Sequence, residues 1–445
     1  MTKATVVMTI AGSDSGGGAG IEADIKTISA LGLHGACAIT SVTSQNTQGV
    51  LSAFDLPREV IRDQIDAVCS DMHIGWAKSG MLSSRDITAT VAEMIGKYGI
   101  RLVVDPVMAA EAGGDLLRKE AIATLKEKLL PKSYVVTPNI NEAATLSGIT
   151  ITNVEEAKQA ARSIARTGVK AVIVTGGHLD ASDVIYESET EEYTVIPGEF
   201  VKGGTHGSGC TYSSALTCFL AKGMSLPEAA RNAKDFVVRA IQGSQEAGKG
   251  VGPVNPLAGV LTDARKYEIL EDLKHAVRTI RSSKSFANLI PEVGTNIAMA
   301  LPDATDVTDV AAVEGRIVRL RGLPEVVGNI EFGASSHVAR IILTAMKNNP
   351  STRAAVNVRY SEDIVEICRD MGLSISSFDR AEEPEKAHTM DWGTSYAIGQ
   401  HRSVPDIIYD KGGPGKEPMI RILGKSARDV ARIAIDISER YDIER

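Results

Sequence analysis

Short, unbroken runs of Val, Ile and Ala alternate with stretches of helical period from residue 5 to about residue 243. Val6–Ala11, Ala36–Val42, His73–Ala77, Leu102–Val104, Tyr134–Thr137, Ala171–Thr175, Val184–Tyr186 and Tyr193–Ile196 read as strands. Ala19–Leu31, Glu59–Ser70 and Asp86–Tyr98 carry apolar residues at the spacing of one helical face. Strands that are apolar on both faces and separated by helices predict an α/β fold: a mostly parallel sheet with helices on both sides. Ligands of such sheets bind outside the carboxyl ends of the strands. The polar and glycine-rich segments fall there: Gly12–Gly20, Thr43–Gly49, Lys78–Met81, Asp105–Met108, Pro138–Glu142 and Gly176–His178.

The segment Ala247–Pro256, rich in Gly and Pro, breaks this pattern. Thr262–Ser282 then reads as a charged amphipathic helix, and a new pattern with denser charge starts near Phe286. A chain of 445 residues exceeds one ordinary domain. The expected organisation is a first domain over residues 1–260, a connector helix over 261–284 and a second, smaller α/β domain over 285–445.

Composition narrows the function. A net charge of −8 argues against a nucleic-acid or anionic-membrane surface, but not against small phosphorylated substrates. The five cysteines are scattered, odd in number and without Cys-x-x-Cys spacing, which disfavours disulfides or structural zinc and points to the cytoplasm. No apolar run reaches membrane-spanning length. The N-terminus leads directly into a strand at Thr5, so no signal peptide is expected.

The most informative stretch is Lys202-Gly-Gly-Thr205-His206-Gly207-Ser208-Gly209-Cys210-Thr211, followed by the apolar run Tyr212–Leu220. A glycine-rich turn that opens a helix aims unpaired N–H groups and the positive end of the helix dipole at one spot. That is an anion hole, formed by Gly207, Ser208 and Gly209. Cys210 lies in the first turn, where a thiolate is stabilised, and is a candidate base; the alternative is a small buried helix residue, the reading given to Cys218. Gly12–Gly20 loosely fits a dinucleotide-binding turn, but no acidic residue closes the second strand, and no Gly-Lys-Ser/Thr phosphate loop occurs.

Seven motifs occur in order: Ala11-Gly-Ser-Asp-Ser-Gly-Gly-Gly-Ala-Gly20 with Asp24, Gln45-Asn-Thr, Lys78-Ser-Gly-Met, Asp105-Pro-Val-Met, Thr137-Pro-Asn-Ile-Asn-Glu142, Thr175-Gly-Gly-His178 and Thr205-His-Gly-Ser-Gly-Cys210. Together, over about residues 5–256, they resemble the hydroxymethylpyrimidine/phosphomethylpyrimidine kinases, a ribokinase-like family. The resemblance implies two successive phosphorylations with ATP and Mg²⁺. It places Gln45, Gly12 and Asp24 on the substrate. Asp105, Asn139, Lys78, Thr175 and Thr205 fall on ATP or its phosphates, Glu142 and Asp105 on the metal, and Cys210 at the catalytic position. His178 is either a site residue or a surface histidine. Ser208 stands where the family often has threonine, and Gly16 where serine is commoner. Pyridoxal-type kinases are the nearest alternative.

The second domain carries Glu314-Gly-Arg316-Ile-Val-Arg319-Leu-Arg321, Phe332-Gly-Ala-Ser-Ser-His337 and Asp410-Lys411-Gly-Gly-Pro-Gly-Lys416. In a regular strand Arg319 and Arg321 share one face and Arg316 the other. This part resembles the ThiN-type thiamine-phosphate synthases. The resemblance implies catalytic roles for Arg316 and His337 at a departing pyrophosphate, with Lys411 and Lys416 as weaker candidates. The implied reaction joins the pyrimidine diphosphate to a thiazole phosphate. The alternative is a thiamine-phosphate-sensing regulatory domain. Small-molecule substrates and a homodimer are the expected partners.

Overall fold

The computed structural model describes residues 4–109, 119–177, 179–384 and 389–443. Two compact units divide the chain, Met1–Leu261 and Thr262–Arg445.

The first unit is built on nine strands: β1 (Val6–Asp14), β2 (His34–Asn46), β3 (Gly49–Asp55), β4 (Ile74–Ser79), β5 (Arg101–Val104), β6 (Val135–Val136), β7 (Ala171–Val174), β8 (Asp183–Glu187) and β9 (Glu192–Ile196), in the order β3-β2-β1-β4-β5-β6-β7-β8-β9. The strands from β2 to β7 in that order pair in parallel, and the outer pairs are antiparallel. Alternation sends successive residues to opposite faces. Leu102, Val104, Val136, Val172 and Val174 enter one core, and Val103, Val135, Ala171 and Ile173 the other. The expected doubly covered sheet is therefore present.

Two strand assignments differ from expectation. β2 continues through Thr43 to Asn46 and turns into β3, so the segment expected as a loop is half of a hairpin. β3 has no buried face: Leu51 is 80 % and Phe54 66 % exposed. Without one buried side, its sequence carries no alternation to reveal it.

The second unit holds β10 (Ile297–Ala300), β11 (Val310–Val313), β12 (Ile317–Leu320), β13 (Leu323–Val326), β14 (Ile330–Phe332), β15 (Ala354–Arg359), β16 (Ile375–Ser377), β17 (Ile407–Asp410) and β18 (Met419–Gly424). Seven form a sheet in the order β14-β11-β10-β15-β18-β17-β16, antiparallel except for the pair β16–β17, and β12–β13 is a separate hairpin. Ile297 and Met299 face one core, Ala298 and Ala300 the other. The helix Ala258–Ser282, expected as a connector, buries Ile269, Leu273, Ala276 and Ile280 in the first of these cores. The arginine segment is not one regular strand. Arg316 (φ 76°) and Arg321 (φ 52°) are left-handed and bracket β12, leaving Arg319 alone within it.

Candidate active site

The carboxyl ends of β1, β2, β5 and β7 and the start of the helix Ser208–Ala221 enclose a cavity of about 870 Å³. Gly12, Gln45, Asp105, Asn139, Glu142, Thr175, Thr205, Gly207, Ser208, Gly209 and Cys210 all line it. These expected residues, spread over 199 positions from Gly12 to Cys210, thus meet at one place. His178 lies outside the described residues.

The anion hole is fixed by its glycines. Gly207 caps the helix at φ 83°, and a Cβ there would lie 1.9 Å from the carbonyl oxygen of Gly18. A Cβ on Gly209 would meet nothing within 4 Å, so this residue faces open space. The helix start therefore presents its dipole to the cavity without a side chain in the way.

Asp24 and Lys78 do not line the cavity, contrary to the placements on substrate and phosphates. Both are fully buried beneath it. The Lys78 ammonium donates to Asp24 at 2.9 and 3.0 Å and sits 3.8 Å from Asp105. Asp24 also accepts from Thr9 (2.5 Å) and Ser214 (2.7 Å). Burial opposes the charge of Lys78, but the carboxylates of Asp24 and Asp105 outweigh it and keep the amine protonated. The reason for the misplacement is local: Asp24 is on the inner face of the helix Gly20–Ala30, and Lys78 on a central strand.

Burial pushes the Cys210 thiol up to about 12; Lys78 pulls it down, while Asp105 and Asp24 add to the rise. Burial and these carboxylates thus favour the thiol of Cys210, itself only partly buried, over the thiolate expected from its helix position. The helix dipole is outweighed by desolvation and two carboxylates. The Gly20 backbone also favours its thiolate, and the Cys210 side chain in turn favours the ionised form of Asp105. Burial likewise raises Asp105, which Lys78 and Ser213 (3.0 Å) oppose. Cys218, eight residues on, packs with Val7 and Ile28 as expected.

Asn139 and Glu142 form a capping box on the helix Ile140–Ser147: Glu142 N–H donates to Asn139 (3.0 Å) and Asn139 N–H to Glu142 (2.9 Å). Burial first, then repulsion from Asp105, push Glu142 up to about 8. A buried carboxylate that a second buried carboxylate raises suits a divalent cation, and Mg²⁺ asks for only one or two carboxylates beside phosphates and water. Among the described residues no group of three or more His, Cys, Asp or Glu could form a full protein cage.

Sequence reasoning assigned no role to Asp14 or His206, which also line the cavity. Asp14 accepts from the N–H groups of Gly16 (2.8 Å), Gly18 (3.0 Å) and Ala19 (2.9 Å) and is 3.0 Å from His206 Nε2. Burial opposes its ionisation, but His206 and these backbone donors hold its carboxyl below the usual range. His206 Nε2 is also 3.4 Å from the Gln45 amide nitrogen. The signal was available, since Asp14 and His206 both belong to the glycine motifs.

In the second unit Arg316 is exposed and donates to the carbonyl of Val293. His337 is exposed in the first turn of the helix Ser336–Met346. Their segments leave the β11–β14 pair at different ends. Arg316 follows the Val313 end of β11, whereas His337 follows the Phe332 end of the antiparallel β14, where Phe332 faces Ala311. Each position lies past a different end of the pair. Lys411 pairs with Glu362 (2.9 Å) and Lys416 with Glu383 (3.7 Å).

A parallel α/β sheet with an anion hole at a helix start and no phosphate loop defines a ribokinase-like kinase. Residues 14–255 match the family model for phosphomethylpyrimidine kinase, and residues 272–436 that for thiamine-phosphate synthase ThiN. The chain belongs to these families and is a bifunctional kinase and thiamine-phosphate synthase of thiamine biosynthesis. It is 37 % identical over 438 residues to the bifunctional thiamine biosynthesis protein ThiDN of Methanocaldococcus jannaschii, covering 98 % of this chain and 99 % of that one. It is 45 % identical to the hydroxymethylpyrimidine/phosphomethylpyrimidine kinase of Bacillus subtilis over 56 % of this chain and 94 % of that protein. An ADP complex of Bacillus subtilis pyridoxal kinase matches 58 % of this chain and all of its own, with a TM-score of 0.54 at 35 % identity. No helix among the described residues is long and apolar enough to cross a membrane.

Proposed function

We propose that the first unit phosphorylates a hydroxymethyl aminopyrimidine and then its monophosphate with ATP, and that the second unit joins the diphosphate to a thiazole phosphate, releasing pyrophosphate. The convergence of eleven expected residues on one cavity carries the reading of the first unit. Gln45 and Gly12 face the pyrimidine, the side-chain amide offering a donor beside an acceptor. Gly207, Ser208 and Gly209 take the transferred phosphoryl group, and Thr175, Thr205 and Asn139 the nucleotide phosphates. Glu142 holds Mg²⁺, with Asn139 beside it; the ion would screen the charge of the phosphates.

In the first transfer the substrate hydroxyl gives its proton to the Cys210 sulfur as the thiol proton passes to the Asp105 carboxylate. The new O–P bond forms while the bond to the ADP oxygen breaks. Asp105, also expected on the metal, is favoured for this role because it lines the same cavity as Cys210 and interacts with it electrostatically. Asp24 and Lys78 act beneath the site by fixing the charge there. In the second transfer the nucleophile is a phosphate oxygen, largely ionised at neutral pH, so no proton has to be removed.

The exposed Leu51 and Phe54 on edge strand β3 support a homodimer. The five free cysteines fit a cytoplasmic enzyme. Mass-spectrometric product analysis with ATP, Mg²⁺, the pyrimidine alcohol and thiazole phosphate tests the whole reading. Thiamine phosphate from the wild type, and only pyrimidine diphosphate from His337→Ala, is the expected result. A wild type that stops at the diphosphate contradicts the proposal for the second unit.

A further inference from the structure

One end of the second sheet gathers cations that the expected pair, Arg316 and His337, leaves out of account. Pairing registers place the carboxyl ends of β11, β15, β16 and β17 and the start of β18 on the same side. Arg316, Arg359 and Arg380 follow or close three of these strands. β16 and β17 are the parallel neighbours of the sheet, and the glycine loop Lys411–Lys416 leaves β17 beside them. Carboxyl ends of adjacent parallel strands form a crevice where ligands bind.

Arg380 is built into this end. Its Nε and one terminal nitrogen donate to the two oxygens of Asp410 at 2.6 and 3.2 Å. Asp410 is fully buried and also accepts from Arg421 (2.7 Å) and the N–H of Gly412 (2.9 Å), so each of its oxygens carries two donors. Arg421 is itself buried and lies over the ring of Phe378 at 5.3 Å. Two guanidinium groups therefore share one carboxylate, and one positive charge in the triad is uncompensated. Among the described residues the neighbouring acids make no ion pair with the triad: Glu362 and Glu383 pair with Lys411 and Lys416, and Asp379 caps the turn at Ala381.

The remaining guanidinium nitrogen, Nη1, has no partner among the described residues, and it is not among the buried polar atoms left without one, so it reaches solvent. The side chain as a whole is 11 % exposed. Gly413 lies against its stem, where an added Cβ would be 3.8 Å from Cδ. The loop is tied in turn to Arg316: Glu417 accepts from the N–H groups of Glu292 (2.9 Å) and Val293 (3.1 Å), and Arg316 donates to the Val293 carbonyl.

From this arrangement we propose that Arg380, locked by Asp410, is a phosphate-binding residue of the second unit and holds the diphosphate of the pyrimidine substrate and the pyrophosphate it releases. A guanidinium held side-on by one carboxylate keeps a fixed donor edge for an oxyanion without further loss of freedom. The identity of the anion rests on the synthase reading; the anion site itself does not.

The test uses the full chain. Equilibrium dialysis with radiolabelled inorganic pyrophosphate is run with the nucleotide site of the first unit filled by excess ADP. Synthase turnover is measured from pyrimidine diphosphate and thiazole phosphate without ATP. Arg380→Met is expected to weaken pyrophosphate binding and raise KM for the diphosphate about tenfold or more, the size of one hydrogen bond between charged groups. Arg380→Lys should recover part of the loss, and thermal unfolding should confirm that both variants fold. Equal pyrophosphate binding by wild type and folded Arg380→Met, or none by wild type, overturns the proposal. If both variants unfold, protection of the wild type replaces them: pyrophosphate should shield Arg380 from phenylglyoxal, read by peptide mass mapping, and modification of Arg380 unchanged by pyrophosphate overturns the proposal. A wild type that binds pyrophosphate yet makes no thiamine phosphate contradicts the synthase reading instead.

Discussion

The two units place their chemistry by different rules. In the first, parallel strands all point their carboxyl ends the same way, so residues distant in sequence collect around one cavity. In the second, antiparallel strands alternate, so segments that follow two neighbouring strands leave the sheet at opposite ends: that of Arg316 beyond Val313 and that of His337 beyond Phe332. Strand β11 has four residues, roughly 10 Å at about 3.3 Å per residue. A motif list therefore locates a site in a parallel sheet, whereas in an antiparallel one the pairing must be known as well.

Gly207→Ala would break the comparison most sharply. Its Cβ collides with the Gly18 carbonyl, and the expected loss of kinase turnover is at least about 100-fold, as for removal of an oxyanion-hole donor. Synthase turnover from added diphosphate should persist; loss of both would mean that the units do not act separately. Next is Lys78→Met, which strands Asp24 in the interior. Breaking a buried pair from one side costs about 3–5 kcal/mol, so calorimetry should show the unfolding of the first unit at lower temperature.

Double-mutant kinetics sharpen the contrast between convergence and separation. Cys210→Ala and Asp105→Asn, whose side chains line one cavity and interact electrostatically, should be strongly non-additive. Arg316→Ala and His337→Ala should add to within about 0.5 kcal/mol, as distant sites do; strong coupling would bring them to one place. The smallest effect is that of pH. Glu142 has its folded value raised from 4.5 to about 8, so the folded unit binds this proton more tightly than the unfolded chain. Its contribution is full below about 4.5 and is lost as pH rises to about 8. Denaturant titrations of Glu142→Gln should lack that loss; an unchanged profile would assign it elsewhere.

The core was legible where a strand is buried on both faces. Val6–Ala11 and Ala171–Thr175 appear in the sequence almost as they are in the structure, because nearly all of their residues are buried. β3 was not, since both its faces are wet. In the site, glycines that cannot take a Cβ and residues at strand ends were readable from position alone. Depth was not: Asp24 and Lys78 carry the same letters whether they touch a ligand or each other. Nor was the protonation of Cys210, which depends on desolvation and on Asp105 and Asp24, brought in from other strands and helices.

The most direct measurement compares the two phosphoryl transfers in Cys210→Ala, with the pyrimidine alcohol or its monophosphate supplied as substrate and ADP release followed. The account predicts that transfer to the alcohol falls by about 100-fold or more, the size of a lost acid–base group, while transfer to the monophosphate stays close to wild type. Equal losses for both substrates, or none for the alcohol, would contradict the proton relay through Cys210 and Asp105.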